Sequence, residues 1–175
     1  NSKDPYKIWI SEIMLQQTQV NTAKPYYLAW MKSFPTVKSV ACADIDNILK
    51  VWEGLGYYKR AHNLYESSKI ILNQFNGNIP DNYKDLLSLK GVGDYTASAI
   101  LSIAYNKPYP VFDGNIKRII SRLYKLKNKN DILVKSKKTI SQCMKYIDSG
   151  DINQSFMDFG REICIPQNPK CDICP

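Results

Sequence analysis

The sequence predicts an all-α fold. Apolar residues recur at three- and four-residue spacing along most of the chain, no alternating apolar/polar stretch of any length appears, and the breaks between periodic segments are short and polar. Asp4-Pro5 reads as an N-cap followed by proline at the first helical position, opening a helix with Trp9, Ile10, Ile13 and Met14 on one face. A second helix covers about 22–32 and stops at Phe34-Pro35-Thr36, where Thr36 or Ser39 caps the next. Asp44 or Asp46 starts a helix through Ile48, Leu49 and Trp52 that Gly54 ends. A long helix falls within 56–76, a turn at 77–80, and helices over 81–89 and 95–105 flank Lys90-Gly91-Val92-Gly93. After Pro108 and Pro110 come the Asp113-Gly114 turn, a basic helix over 116–126, one around 136–147 and a last one over 152–163. The proline pair marks a border between modules 1–107 and 108–175. The charge-rich stretch 125–138 reads as a solvated loop and helix face.

Composition narrows the function classes. With 175 residues the chain suffices for one large or two small domains with a core that needs no staples. No apolar run reaches the ~18 residues that span a bilayer, so no membrane role is expected. Both ends read as cuts rather than natural termini. Lys and Arg number 24 against 16 Asp and Glu, a formal charge of +8 that favours nucleic acid before a membrane surface as partner. A single histidine, His62, argues against two-Cys two-His zinc fingers and paired-His zinc proteases. Cys164, Cys171 and Cys174 crowd together without a secretory signal, which fits a metal or cluster site in a reducing compartment better than a disulfide scaffold. Cys42 and Cys143 lie far from them and are expected to be buried apolar residues.

Four strings carry chemistry. In Leu86-Leu87-Ser88-Leu89-Lys90-Gly91-Val92-Gly93-Asp94-Tyr95-Thr96-Ala97, two glycines let the backbone approach a ligand, and the next helix offers free N–H groups to a phosphate, with Lys90 adding charge. An ordinary helix corner is the alternative. Cys164-x6-Cys171-x2-Cys174 suits an iron–sulfur cluster, a structural zinc site or three unligated thiols. Val111-Phe112-Asp113-Gly114-Asn115-Ile116-Lys117-Arg118 places a carboxylate at a helix N-terminus, where amides and dipole keep it ionised; a plain N-cap is the alternative. In Ser11-Glu12-Ile13-Met14-Leu15-Gln16-Gln17-Thr18-Gln19-Val20, apolar neighbours favour the protonated form of Glu12, unless it is a solvated flank residue.

Together with Gly54-Leu55-Gly56-Tyr57-Tyr58-Lys59-Arg60-Ala61-His62-Asn63-Leu64, these strings resemble, in order and over nearly the whole chain, the endonuclease III and MutY superfamily of helix-hairpin-helix DNA glycosylases, its adenine-specific MutY-type branch above all. The resemblance implies a six-helix barrel module with the helix-hairpin-helix at about 81–105, plus a smaller helical iron–sulfur module. It implies base excision repair by a monomer acting on double-stranded DNA in the cytoplasm or nucleoid, or in a eukaryotic nucleus or mitochondrion: hydrolysis of the N-glycosidic bond of adenine mispaired with 8-oxoguanine or guanine.

By that resemblance Glu12 protonates the departing base and later assists water. Asp113 stabilises the cationic sugar or bonds to it transiently. The division of labour is that of paired carboxyls in glycoside hydrolysis. Tyr95 stands where lyase-competent relatives carry a Schiff-base lysine, so strong strand cleavage is not expected. Tyr95 and Asn115 are candidate hydrogen-bond partners of the aspartate. Gln17, with Thr18 beside it, and Tyr57 match the residues that wedge into the base stack once a nucleotide is swung out; for Tyr57 the alternative is helix-start packing. Lys90, Gly91, Val92 and Gly93 hold the DNA backbone. Lys117, Arg118 and Arg122 either contact phosphate or form a solvated face. Cys164, Cys171 and Cys174 would ligate a [4Fe-4S] cluster whose fourth cysteine falls beyond Pro175. The rivals are an endonuclease III-like pyrimidine glycosylase and lyase, a non-catalytic helix-hairpin-helix DNA-binding module, and a zinc-stabilised helical protein.

Overall fold

The computed structural model describes residues 3–175, and among these the fold is all-α. Ten α-helices run α1 Pro5–Leu15, α2 Val20–Ser33, α3 Val37–Ala41, α4 Ile45–Trp52, α5 Lys59–Gln74, α6 Tyr83–Ser88, α7 Asp94–Tyr105, α8 Gly114–Leu123, α9 Lys129–Cys143 and α10 Ser149–Glu162, followed by a 3-10 turn at Cys171–Ile173. The chain divides into two compact units, residues 1–100 and 101–175. None of the described helices is long and apolar enough to cross a membrane.

Local chemistry sets most boundaries. Asp4 caps α1 by accepting the Tyr6 and Lys7 N–H groups, with Pro5 in the first turn. Thr36 and Ser39 form a reciprocal capping box on α3, so both candidates take part. Asn82, Asp113, Asn128 and Asp148 cap α6, α8, α9 and α10. The long helix expected within 56–76 is found there and starts at Lys59, because Tyr57 takes φ +48°, which no helix can continue. Several helices differ from the sequence expectation for a definite reason. The basic helix begins at Gly114 and stops at Leu123, ahead of Lys125 at φ +54°. The helix expected around 136–147 runs 129–143, and it starts where Asn128, extended at φ −74° and ψ 131°, caps it by accepting the N–H groups of Asn130 and Asp131. The 3-10 turn among the cysteines was not anticipated.

In the first unit, α5 packs against α1, α3 and α4, and α2 against α1 and α4. The expected face of α1 is confirmed: Trp9, Ile10, Ile13 and Met14 are all buried. Trp30 stands edge-on to Trp52, ring centroids 5.6 Å apart. Large rings bury much apolar area but carry polar N–H and O–H groups that need partners. Trp30 Nε1–H donates to Tyr6 Oη (3.0 Å), whose own hydroxyl donates to the Phe34 carbonyl (2.6 Å), and Trp52 Nε1–H donates to Gly56 O (2.9 Å). Burial pushes the Tyr6 phenol well above its ordinary value, the hydrogen bond from Trp30 opposing.

In the second unit, α8, α9 and α10 pack around Ile116, Ile120, Ile132 and Ile140. Asn153, fully buried on α10, donates to Ser102 Oγ (2.8 Å) and Tyr109 O (3.0 Å) and accepts from the Val111 N–H (3.2 Å). One amide thereby fixes the proline-rich connection that leads into α8. Cys42 is exposed and Cys143 half-buried, which corrects the expectation that both are buried. Each lies at the C-terminal end of its helix, α3 or α9.

Candidate functional site

The turn between α6 and α7 is anchored from beneath and open above. Leu89 and Val92 are buried, while Lys90, Gly91 and Gly93 are exposed. Gly91 sits at φ +81°, and a Cβ there would lie 2.8 Å from Asn63 Nδ2, so both the backbone and the space call for glycine. Two side chains hold the turn by its carbonyls: Ser67 Oγ–H donates to Lys90 O (3.2 Å) and Gln16 Nε2–H donates to Gly91 O (3.1 Å). The Lys90 ammonium stands 3.7 Å from a Glu66 carboxylate oxygen. That pair is solvent-exposed and screened, so it contributes little to stability and leaves the cation available to a stronger anion.

Two further expected residues of this unit share an unusual backbone. Gln17 lies at φ +58° and Tyr57 at φ +48°, in the left-handed region that side chains other than glycine's rarely occupy. Both are exposed, Tyr57 to 58%. An aromatic so exposed on a strained turn is not there to fill the core. Thr18 is half-buried, its hydroxyl 3.5 Å from Gln16 O. Glu12 and Tyr95 are half-buried. Between α1 and α2 lies a small pocket of ≈ 170 Å³ with Met14, Leu15, Val20 and Ala23 in its wall.

In the second unit Asp113 is the N-cap of α8, and both carboxylate oxygens are engaged. Oδ1 accepts the Ile116 N–H and Oδ2 accepts Asn115 Nδ2–H, each at 2.8 Å. Asn115 therefore meets the aspartate as expected. Its carbonyl oxygen accepts Arg118 Nη2–H at 2.8 Å, and the same guanidinium donates to Cys164 O (2.7 Å) and Gly160 O (2.6 Å). Arg118 is thus half-buried and spent on the protein, whereas Lys117 is exposed. Gly160 explains how α10 approaches so closely: a Cβ there would stand 2.6 Å from Asn115 Cβ.

Cys164, Cys171 and Cys174 line one open cavity of ≈ 490 Å³ with Phe156, Phe159 and Arg122. Arg122 Nη1–H approaches Cys164 Sγ at 3.5 Å and donates to Ile165 O at 2.8 Å. Among the described residues no three acidic, His or Cys side chains stand in metal-holding geometry. The donor chemistry nonetheless suits a thiolate-bound group: three thiols open on the same mostly apolar space, with a cation beside them to offset thiolate charge.

The sequence reading missed Gln16, Arg60 and Asn153. Each is a polar side chain working on backbone carbonyls or amides far away in sequence, and such work leaves no periodic signal. Arg60 is the extreme case. It is 6% exposed, and burial holds its guanidinium below its ordinary value while Tyr57 opposes that shift.

Residues 10–147 match the family described as HhH-GPD superfamily base excision DNA repair protein. The chain is 45% identical over 174 residues to an adenine DNA glycosylase from Buchnera aphidicola subsp. Baizongia pistaciae, covering 99% of this chain and 50% of that one. It is 37% identical to the adenine DNA glycosylase of Homo sapiens, covering 97% of this chain and 32% of the relative. The chain spans about half the length of the bacterial relatives it matches. Among solved structures, that of a thermostable thymine-DNA glycosylase superposes with TM-score 0.86 at 29% identity, covering 99% of this chain and 82% of that one. A trapped endonuclease III–DNA covalent intermediate superposes with TM-score 0.83 at 22% identity, covering 100% and 82%.

Proposed function

We propose that this chain, which belongs to the HhH-GPD superfamily of base excision DNA repair proteins, forms the base-releasing part of a monofunctional adenine DNA glycosylase. The observation that carries the reading is the aspartate at the start of α8. Asp113 cannot rotate freely, because a backbone N–H and the Asn115 amide each hold one oxygen at 2.8 Å. A carboxylate so fixed keeps lone pairs for a developing cation without reorganising, and preorganised charge is the largest single source of transition-state stabilisation.

N-glycosidic cleavage leaves an oxocarbenium-like sugar and a base that departs poorly unless protonated. Asp113 is assigned to the sugar and Glu12 to the base, with water attacking after the base leaves. Tyr95 is a phenol where an amine would be needed for an imine, so the reading includes no lyase step. The substrate is double-stranded DNA with adenine opposite 8-oxoguanine or guanine, met by a monomer, in whatever compartment holds that DNA. Backbone amides of the Gly91–Gly93 turn, Lys90 and Lys117 would take phosphates. Gln17 and Tyr57, helped by Thr18, would fill the gap left by the extruded nucleotide. Arg118 is assigned a different task from a phosphate contact: it ties α8 to α10 and orients Asn115. Residues 108–175 would form the cluster-bearing module. Cys164, Cys171 and Cys174, with a fourth thiolate from outside these residues, would hold a [4Fe-4S] cluster, which when bound cross-links the segment and adds a redox-active, charged centre.

The test is adenine release from duplexes bearing each mispair, using full-length protein. We expect release opposite 8-oxoguanine and guanine, a loss of about 10²–10⁴-fold in Glu12→Gln with duplex binding kept, and no borohydride trapping. Efficient trapping on an abasic duplex, or release of a pyrimidine in preference to adenine, would overturn the assignment.

A further inference from the structure

A buried cation with no carboxylate partner is costly. Arg60, in the first turn of α5, is such a cation among the described residues, and its neighbours explain what offsets the cost. Nη1–H donates to the carbonyls of Ile13 (3.2 Å), Met14 (2.6 Å) and Gln16 (2.7 Å). Nη2–H donates to those of Leu55 (3.4 Å) and Gly56 (3.2 Å). The guanidinium carbon lies 5.3 Å from the ring centroids of both Trp52 and Tyr57. One planar fork therefore joins the last turn of α1 to the loop before α5.

The two outermost carbonyls decide the meaning of this arrangement. Gln16 O belongs to the peptide that joins residue 16 to Gln17, and Gly56 O to the peptide that joins residue 56 to Tyr57. Arg60 thus grips the peptide immediately preceding each of two exposed residues held in the left-handed region, Gln17 and Tyr57. Such strained backbone persists only where its surroundings over-determine it. If Arg60 merely satisfied the free carbonyls at the end of α1, the Nη2 bonds to the second loop and the stacking on Tyr57 would have no purpose.

We propose that Arg60 is a positioning residue that locks Gln17 and Tyr57 at a fixed separation and orientation, so that the two enter duplex DNA as one preformed wedge. This rests on the reading of Gln17 and Tyr57 as DNA-inserting residues. Rigidity matters because a wedge that must first order itself loses insertion energy to that ordering. A lysine cannot replace the fork: its ammonium is a point charge that reaches one set of carbonyls and stacks poorly.

The test uses full-length Arg60→Lys, Tyr57→Ala and the double variant on a duplex with 2-aminopurine beside the mispaired adenine. The readouts are fluorescence on binding, which reports unstacking, and single-turnover base release. For Arg60→Lys we expect unchanged helical circular dichroism, duplex affinity within about threefold, and both the fluorescence rise and the release rate reduced about tenfold, the size of one lost ordered contact. The double variant is expected to be no worse than Tyr57→Ala, since the residues act as a unit. Wild-type unstacking and release in Arg60→Lys, or additive losses in the double variant, overturn the proposal while leaving the wedge reading intact. Wild-type behaviour of Tyr57→Ala overturns both. Should Arg60→Lys fail to fold, the wild type still decides. Guanidinium N–H resonances of Arg60 that stay protected from hydrogen exchange on duplex binding support the lock, and their loss on binding overturns it.

Discussion

Arg60 in the first unit and Arg118 in the second each bind several backbone carbonyls, and the two do so to opposite ends. Arg60 in the first unit is 6% exposed, touches no acid among the described residues, and supports loops whose tips, Gln17 and Tyr57, stand out in solvent. Arg118 in the second unit is half-buried and supports an inward-held group, Asp113, through Asn115. The first arrangement places exposed side chains by fixing strained backbone. The second places a carboxylate by fixing its hydrogen bonds. The difference shows that a guanidinium on a helix can serve as scaffold for either a surface probe or a charged site, depending on what its carbonyls belong to.

The largest expected effect tests Arg118. Arg118→Met would leave the Cys164 and Gly160 carbonyls without their donor and is expected to cost about 2–4 kcal/mol in urea denaturation, with Arg118→Lys recovering less than half. A cost below about 0.5 kcal/mol would remove the parallel with Arg60. Next comes Gly160→Ala. The added Cβ would meet Asn115 Cβ at 2.6 Å, and because both atoms belong to packed backbone-proximal groups, the expected cost is about 1–3 kcal/mol. Base release is expected to fall further than duplex binding, since the displaced Asn115 is what holds Asp113. Equal losses in both would mean that α8 moved as a whole.

A smaller effect is expected for Gly91→Ala, about 1 kcal/mol by thermal melting, because φ +81° disfavours a side chain and the Asn63 side chain, its amide nitrogen 2.8 Å and its Cβ 3.1 Å from the added carbon, has to give way. Its duplex affinity is expected to drop and its salt dependence to flatten; unchanged salt dependence would argue that this turn does not meet phosphate. The smallest concerns Tyr6, whose folded pKa is raised by burial. A phenol raised in the folded state contributes stability that is complete below its unfolded value near 10 and is lost as pH rises through the folded value. Alkaline melting is therefore expected to fall above about pH 10, and Tyr6→Phe to flatten that fall while costing about 1 kcal/mol at neutral pH. An equally steep alkaline fall in the variant would place the titrating group elsewhere.

Much of this organisation was legible because it is local. Asp4-Pro5, Thr36-Val37-Lys38-Ser39 and Asp113-Gly114 each announce a helix start within four residues, and Trp9, Ile10, Ile13 and Met14 announce a face by their spacing. The hairpin and the Asp113 turn could be found because glycine and aspartate act on backbone next to themselves. A helix limit went wrong where one residue left the helical region: Lys125 shortened α8, and nothing in a lysine forecasts a positive φ.

The sequence by itself determined the helical class, the capping sites and the strings that carry Glu12, Asp113 and the three clustered cysteines, since these depend on residues within a turn or two of one another. Only the tertiary structure decided that Arg118 serves the protein rather than the surface, that Cys42 stays exposed, and that Arg60, Gln16 and Asn153 hold loops 40 or more residues away. The reason is physical. Capping and periodicity are properties of a segment, whereas satisfying a distant carbonyl depends on which backbone the folded core brings within hydrogen-bond reach.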